Sequence, residues 1–224
     1  MRLALFDLDN TLLTGDSDYE WLQFLIERGA LEREQTQAAN NDIARRYKAG
    51  EISADEFERF YLAVLTVRDK RILDAWHLDF MRERIVPNIP HAALELLAEH
   101  RDAGDLIVLT TATNRFVAGP IAGYLGFEHL IATEPECIDG RFTGNYVGIL
   151  NMREGKVKRL DEWLTVRGYG WLDFSETWFY SDSRNDIPLL DRVSRPVAVD
   201  PDDTLAAHAR VRGWPVLRLR KAAI

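Results

Sequence analysis

Hydrophobic and polar positions along this chain follow two periods in turn. Leu3–Phe6 is a short apolar run, the length of one buried strand, and it stops at Asp7. From Tyr19 the period becomes helical. Trp21, Leu22, Leu25 and Ile26 share one face, Gly29 closes the segment, and Ser17 or Asp18 is expected to cap it. The stretch from Glu32 to Glu83 keeps a helical pattern, interrupted at Gly50-Glu51-Ile52-Ser53, where Ser53 and Glu56 form a capping-box signature. Residues 15–87, about seventy positions, therefore read as wholly helical.

Past Pro87-Asn88-Ile89-Pro90 the pattern alternates between the two periods. It predicts a helix over His91–Ala103, an apolar strand over Leu106–Thr111, a helix over Asn114–Leu125 and a short strand over Leu130–Thr133. Ile138–Phe142 reads as a hairpin turning at Asp139-Gly140. A helix from Gly155 to about Arg167 follows, then a strand over Thr177–Ser181 and a short helix opening at Asp186 with Pro188 in its first turn. A last core strand over Pro196–Asp200, a helix over Thr204–Gly213 and an edge strand near Val216 complete the chain. Strands alternating with helices predict an α/β fold: a Rossmann-like, mostly parallel sheet covered on both faces. The helical block divides the chain into a core (residues 1–14 and 88–224) and an inserted all-helical cap (15–87) over the strand ends.

In such sheets the ligand lies beyond the carboxyl ends of the strands. Three predicted strands end in reactive groups there: Asp7 and Asp9, Thr111, and Asp182. Two carboxylates at the end of a buried strand repel, and burial raises the cost of ionising both. A divalent cation is the simplest offset, and hard oxygen ligands favour Mg²⁺. Taken singly, each residue has a plainer reading: an Asp after a strand as a turn or cap residue, Thr111 as a satisfied hydroxyl, Lys156 as a solvated helix start, Asp186 as a helix cap.

Composition narrows the partners. A formal net charge of -8, with no basic stripe, argues against nucleic acid as a ligand but leaves room for a small phosphorylated one. The single Cys137 excludes an internal disulfide and a cysteine-based zinc cluster, and is expected to be a buried structural thiol. No apolar stretch approaches the roughly 20 residues of a membrane span. With no visible signal peptide, a cytoplasmic protein without a membrane partner is expected. The five histidines show no metal-binding spacing.

Phe6-Asp7-Leu8-Asp9-Asn10-Thr11-Leu12 resembles the DxDxT signature of the haloacid dehalogenase superfamily. Thr111 resembles its second motif, Lys156 its third, and Tyr180-Ser181-Asp182-Ser183-Arg184-Asn185-Asp186 its acidic fourth, with Ser181 where Gly is usual. The insertion between the first two motifs resembles the helical C1 cap of the phosphoserine-phosphatase-like branch. The resemblance covers essentially the whole chain, and four motifs in order are specific where each alone is weak.

The resemblance implies a Mg²⁺-dependent phosphomonoesterase acting on a small metabolite. Asp7 would be the nucleophile and form an aspartyl phosphate, and Asp9 the general acid and base. Thr111 would donate to a phosphate oxygen, Lys156 would neutralise charge on the phosphoryl group and hold Asp7 in place, and Asn185 would position phosphate or nucleophile. Asp7, the Asp9 carbonyl and Asp182 would hold the metal, with Asp186 supporting them. Asp16, nine residues after Asp7, resembles the acid that reads the substrate amine in phosphoserine phosphatases. No cap arginine for a substrate carboxylate can be placed, Arg59 being the nearest candidate. An amine-bearing substrate without a carboxylate fits, histidinol phosphate among them, and phosphocholine or phosphoethanolamine would fit too. Phosphoserine, a phosphotransferase or mutase reaction, and a phosphoryl-binding domain without turnover remain as alternatives.

Overall fold

A computed structural model describes residues 1–220. Its strands are β1 (Arg2–Phe6), β2 (Leu106–Asn114), β3 (Leu130–Ile138), β4 (Arg141–Val147), β5 (Glu176–Ser181), β6 (Arg195–Val199) and β7 (Val216–Leu217). They form one sheet in the order β4-β3-β2-β1-β5-β6-β7. Every pairing is parallel except β3 with β4. The first strand is thus the central one, and its Phe6 lies level with Leu109 of β2 and Tyr180 of β5.

The continuous apolar run of β1 is explained by burial on both faces. Leu3 and Leu5 pack with Val108, Leu160, Phe179 and Leu189 on one side. Ala4 and Phe6, with the opposite pleat, pack with Leu109, Phe116, Phe127 and Tyr180 on the other. Helices α1 (Ser17–Glu27), α2 (Arg33–Ala49), α3 (Ala54–Val64) and α4 (Lys70–Phe80) occupy the interval between β1 and β2. The chain departs at Thr14 and returns at Asn88, and the Thr14 N–H donates to the Asn88 carbonyl at 2.7 Å. Trp21, Phe24, Leu62 and Phe80 of these helices share one apolar cluster with Phe6 and Phe116.

The other helices are α5 (His91–Asp102), α6 (Arg115–Tyr124), α7 (Glu154–Val166), α8 (Ile187–Leu190) and α9 (Asp203–Arg212). Residues at several ends differ from expectation. The cap of α1 is Asp16, not Ser17 or Asp18: its carboxylate accepts from the Tyr19 N–H at 2.8 Å, while Ser17 and Asp18 sit buried in the first turn. β2 runs three residues past Thr111, and its Asn114 pairs with Thr133 of a longer β3. The hairpin does turn at Asp139 (φ 49) and Gly140 (φ 76), the left-handed pair of a tight turn. Cys137, expected to be buried, is exposed on β3. No helix among the described residues is long and apolar enough to cross a membrane.

Candidate active site

Asp7 is the first residue past β1, and its N–H is held by the Tyr180 carbonyl at 3.0 Å. The side chain is buried. From the opposite direction Lys156, in the first turn of α7 and only 2% exposed, donates to Asp7 Oδ1 at 2.9 Å and to Asp186 Oδ2 at 2.8 Å. Asp186 also accepts from Ser181 Oγ at 2.7 Å and makes no capping bond to α8, so its carboxylate serves Lys156 rather than the helix. Gly155 lets α7 begin here: a Cβ on it would lie 2.0 Å from the Leu150 carbonyl oxygen.

Asp182 lies across from Asp7. The Thr11 hydroxyl is 3.3 Å from Asp7 Oδ2 and 3.2 Å from Asp182 Oδ1, and it accepts from the Asp182 N–H at 3.1 Å. The two carboxylates therefore flank one small hydroxyl. Asn10 (φ 57) takes the left-handed conformation that Asn tolerates, carrying the chain away from the pair.

Asp9 faces the helical insertion. Its Oδ1 accepts from the Ser17 N–H at 2.7 Å, and its Oδ2 from the Thr113 hydroxyl. Thr111 is buried and its hydroxyl accepts from the Thr113 N–H at 3.2 Å. Asn151 braces this corner: its Nδ2 contacts Thr110 Oγ1 and the carbonyls of Thr111 and Ile131 at 2.8–3.1 Å. Asn185 presents its Oδ1 to Arg153 Nε at 3.2 Å.

These groups open into one pocket of about 230 Å³, at the small end for a ligand site. Asp7, Asp9, Asp16, Thr111, Lys156, Asp182, Asn185 and Asp186 all line it. The insertion adds Asp18, Tyr47, Phe57, Glu58 and Tyr61; of these the sequence pattern marked only Asp18, and as a helix cap rather than a site residue. Arg59 does not line it; it is exposed, paired with Asp55 at 2.8 Å and bonded to Asn145 of β4. Among the described residues Lys156 is the one cation in a lining that holds seven acids.

That imbalance moves the titrations. Burial pushes Asp7 up to about 7, against the lowering charge of Lys156, with Asp186 and Asp9 adding to the rise. Burial, then the Asp16 charge, raises Asp9 to about 6, while the bonds from Ser17 and Thr113 lower it. Asp182 stands well above the usual carboxylate range through burial and the charges of Asp7 and Asp186. Glu58 is raised to about 8 by burial and by Asp16 and Asp9. Burial lowers Lys156, but Asp186 and Asp7 together hold it above its ordinary value.

The donor set can be tested against a metal. Among the described residues no three acid, histidine or cysteine side chains group as an ion-enclosing cluster. Mg²⁺ does not require one, since it is commonly held by one or two carboxylates with waters and phosphate oxygens. Asp7 and Asp182, two hard anionic donors whose repulsion is only partly offset by Lys156, fit that pattern.

Two of the missed residues had a signal. Thr113 follows Thr111 by one strand period, so the two share a face. Glu58 precedes Leu62 and Leu65 by four and seven residues, which puts an acid on the buried stripe of α3. Asn151 lies in an irregular turn and had none.

Known proteins place this architecture. The chain is 43% identical over 220 residues to a histidinol-phosphatase of Neisseria meningitidis serogroup C (strain 8013), covering 98% of this chain and 99% of that one. It is 32% identical over 234 residues to a phosphoserine phosphatase of Mycobacterium tuberculosis (strain ATCC 25618 / H37Rv), covering 98% of this chain and 71% of the relative. A crystal structure of a Bordetella pertussis Tohama I protein of unknown function superposes with a TM-score of 0.94 at 46% identity, covering 98% and 99% of the two chains. A substrate-bound phosphoserine phosphatase shares the fold at a TM-score of 0.68 and 20% identity, over 96% and 92%. A family model for haloacid dehalogenase-like hydrolases matches residues 4–191, and with the motifs of β1, β2, α7 and β5 meeting at one pocket, the chain belongs to the haloacid dehalogenase-like hydrolase family.

Proposed function

We propose that the protein is a Mg²⁺-dependent phosphomonoester phosphatase that works through an aspartyl phosphate on Asp7. The observation that carries this reading is the pairing of Asp7 with Lys156 at 2.9 Å while Asp9, two residues on, is held separately by Ser17 and Thr113. The two acids are thereby oriented for different work. An Asp7 oxygen attacks phosphorus as the bond to the leaving oxygen breaks. Asp9, with a carboxyl raised to about 6, gives its proton to that oxygen. The resulting carboxylate then takes a proton from the water that attacks phosphorus, releasing phosphate and restoring Asp7. Thr111 and Lys156 offer donors to the phosphoryl oxygens, and the Asn185 amide group lies within reach of the same pocket. Asp7, Asp182 and the Asp9 carbonyl would hold Mg²⁺, supported by Asp186, and the ion would supply charge neutralisation for the phosphoryl group.

The preferred substrate in this reading is an amino alcohol phosphate such as histidinol phosphate. The similarity to the Neisseria histidinol-phosphatase supports it, as does the absence of any arginine among the described pocket residues to receive a carboxylate. Asp16, which lines the pocket with one oxygen on the Tyr19 N–H, would read the amine. The core at 1–14 and 88–224 would carry the chemistry, and the helices of 15–87 would cover the leaving group. Phosphate release from histidinol phosphate, O-phosphoserine and an aryl phosphate, with Mg²⁺ and with EDTA, tests this. Histidinol phosphate should be preferred and EDTA should stop turnover. A preference for O-phosphoserine would overturn the substrate, and full activity of Asp7→Asn would overturn the mechanism.

A further inference from the structure

Glu58 stands apart from the other acids of the pocket. Asp9 accepts from Ser17 and Thr113, Asp16 from Tyr19, and Asp18 from Asn114 Nδ2 at 2.8 Å. Glu58 is 2% exposed, lines the pocket from α3, and its Oε1 is buried with no hydrogen-bond partner among the described residues. A buried carboxyl oxygen left without a donor destabilises the protein, and such groups call for an explanation in a ligand or ion. No described lysine or arginine reaches it: Lys156 is committed to Asp7 and Asp186, and Arg59, the next residue of α3, turns outward to Asp55. The walls beside it are aromatic: Tyr47, Phe57 and Tyr61 line the same pocket, and Tyr61 OH is fixed on Asn40 at 2.9 Å. Carboxylates with ring faces form a receptor for a protonated nitrogen, and Asp16, capping α1, and Glu58, on α3, offer two such positions.

We propose that Glu58 receives a cationic nitrogen of the leaving group and is the residue by which this pocket selects a substrate with two nitrogen donors over one with a carboxylate. This rests on the phosphatase reading above and adds to it the residue and the rule. A carboxylate-bearing phosphomonoester would bring its charge to Asp16, Asp18 and Glu58, where no arginine and no lysine other than Lys156, already shared by Asp7 and Asp186, lines the pocket to receive it, so that charge would be buried unmatched.

The test compares the wild type with Glu58→Gln, a near-isosteric change that removes the carboxyl group able to ionise against a bound cation. Its readout is the ratio of kcat/KM for L-histidinol phosphate to that for an aryl phosphate, which has no cation to place. The ratio should fall about 10- to 100-fold, through KM rather than kcat. O-phosphoserine should gain relative to L-histidinol phosphate. Parallel change on both substrates, or an unchanged ratio, would overturn the proposal. Calorimetric binding of L-histidinol phosphate to Asp7→Asn, with and without Glu58→Gln, reads the same contact without turnover. Failure of the wild type to turn over any phosphomonoester would count against the reaction alone. No binding, or equal binding by both proteins, would overturn the role of Glu58. Circular dichroism melts of each variant confirm that the fold is kept.

Discussion

Replacing Lys156 by methionine isolates the electrostatics of the site. The ammonium is 2% exposed and shared between Asp7 at 2.9 Å and Asp186 at 2.8 Å. Methionine fills a similar volume but leaves both carboxylates buried without their cation. Removing one partner of a buried ion pair costs about 3–5 kcal/mol. For a chain of this size each kcal/mol moves the melting temperature by about 2–4 °C, so a fall of roughly 6–20 °C is expected. The loss should grow with pH. Asp7 rises from an unfolded value of 3.8 to about 7 in the folded protein, so between those values the native state binds more protons than the unfolded one. Its contribution is therefore most favourable below pH 4 and is lost as pH rises through 7. Without Lys156 the Asp7 carboxyl moves higher still, and the native state pays more for each ionised acid. The assay is thermal melting of wild type and Lys156→Met at pH 5 and pH 8 in EDTA. A variant as stable as the wild type at pH 8, or a difference that does not widen from pH 5 to pH 8, would refute the reasoning.

Two further perturbations probe the support of the site. Gly155→Ala would drive a Cβ to 2.0 Å from the Leu150 carbonyl, a backbone atom that cannot yield cheaply, so the turn must shift and carry Lys156 off its partners. Phosphate release should fall by about 100-fold, the usual consequence of an ångström-scale misplacement, and unaltered kinetics would count against Lys156 as a phosphoryl contact. Thr113→Val removes a hydrogen bond that lowers the Asp9 carboxyl, so its titration should move above about 6. The alkaline limb of the kcat/KM profile should move up with it, and a profile identical to wild type would show that Asp9 is not the titrating acid.

The sheet was legible because its central strands are buried on both faces and show it as apolar runs, Leu3–Phe6 in β1, Leu106–Leu109 in β2 and Trp178–Tyr180 in β5. The strand order reverses at β1, the centre of the sheet, and the pocket lies beyond its carboxyl end. The chemistry at those ends was legible for the same reason: Asp7, Thr111 and Asp182 each interrupt or follow a strand where a polar residue stands out. What was not legible came from residues whose partners lie far along the chain. Thr113 is bonded to Asp9, a hundred residues away, and Asn151 spans the ends of β2 and β3 from an irregular turn. Arg59 and Glu58 are neighbours, and only the facing of α3 decides which enters the pocket. The apolar stripe through Leu62 and Leu65 points Glu58 inward and sends Arg59 to solvent. The cap of α1 is Asp16, whose carboxylate takes the Tyr19 N–H, while the Ser17 N–H goes to Asp9, a tie between the loop after β1 and the first helix that local pattern does not encode.

In the proposed mechanism Asp7 becomes covalently phosphorylated during turnover. Borohydride reduction of protein quenched during reaction with L-histidinol phosphate and Mg²⁺ converts an aspartyl phosphate to homoserine, which peptide mass spectrometry locates. Homoserine is expected at position 7, absent without substrate and absent in Asp7→Asn. An unmodified position 7 under conditions of demonstrated phosphate release, or trapping at another carboxylate, would contradict it.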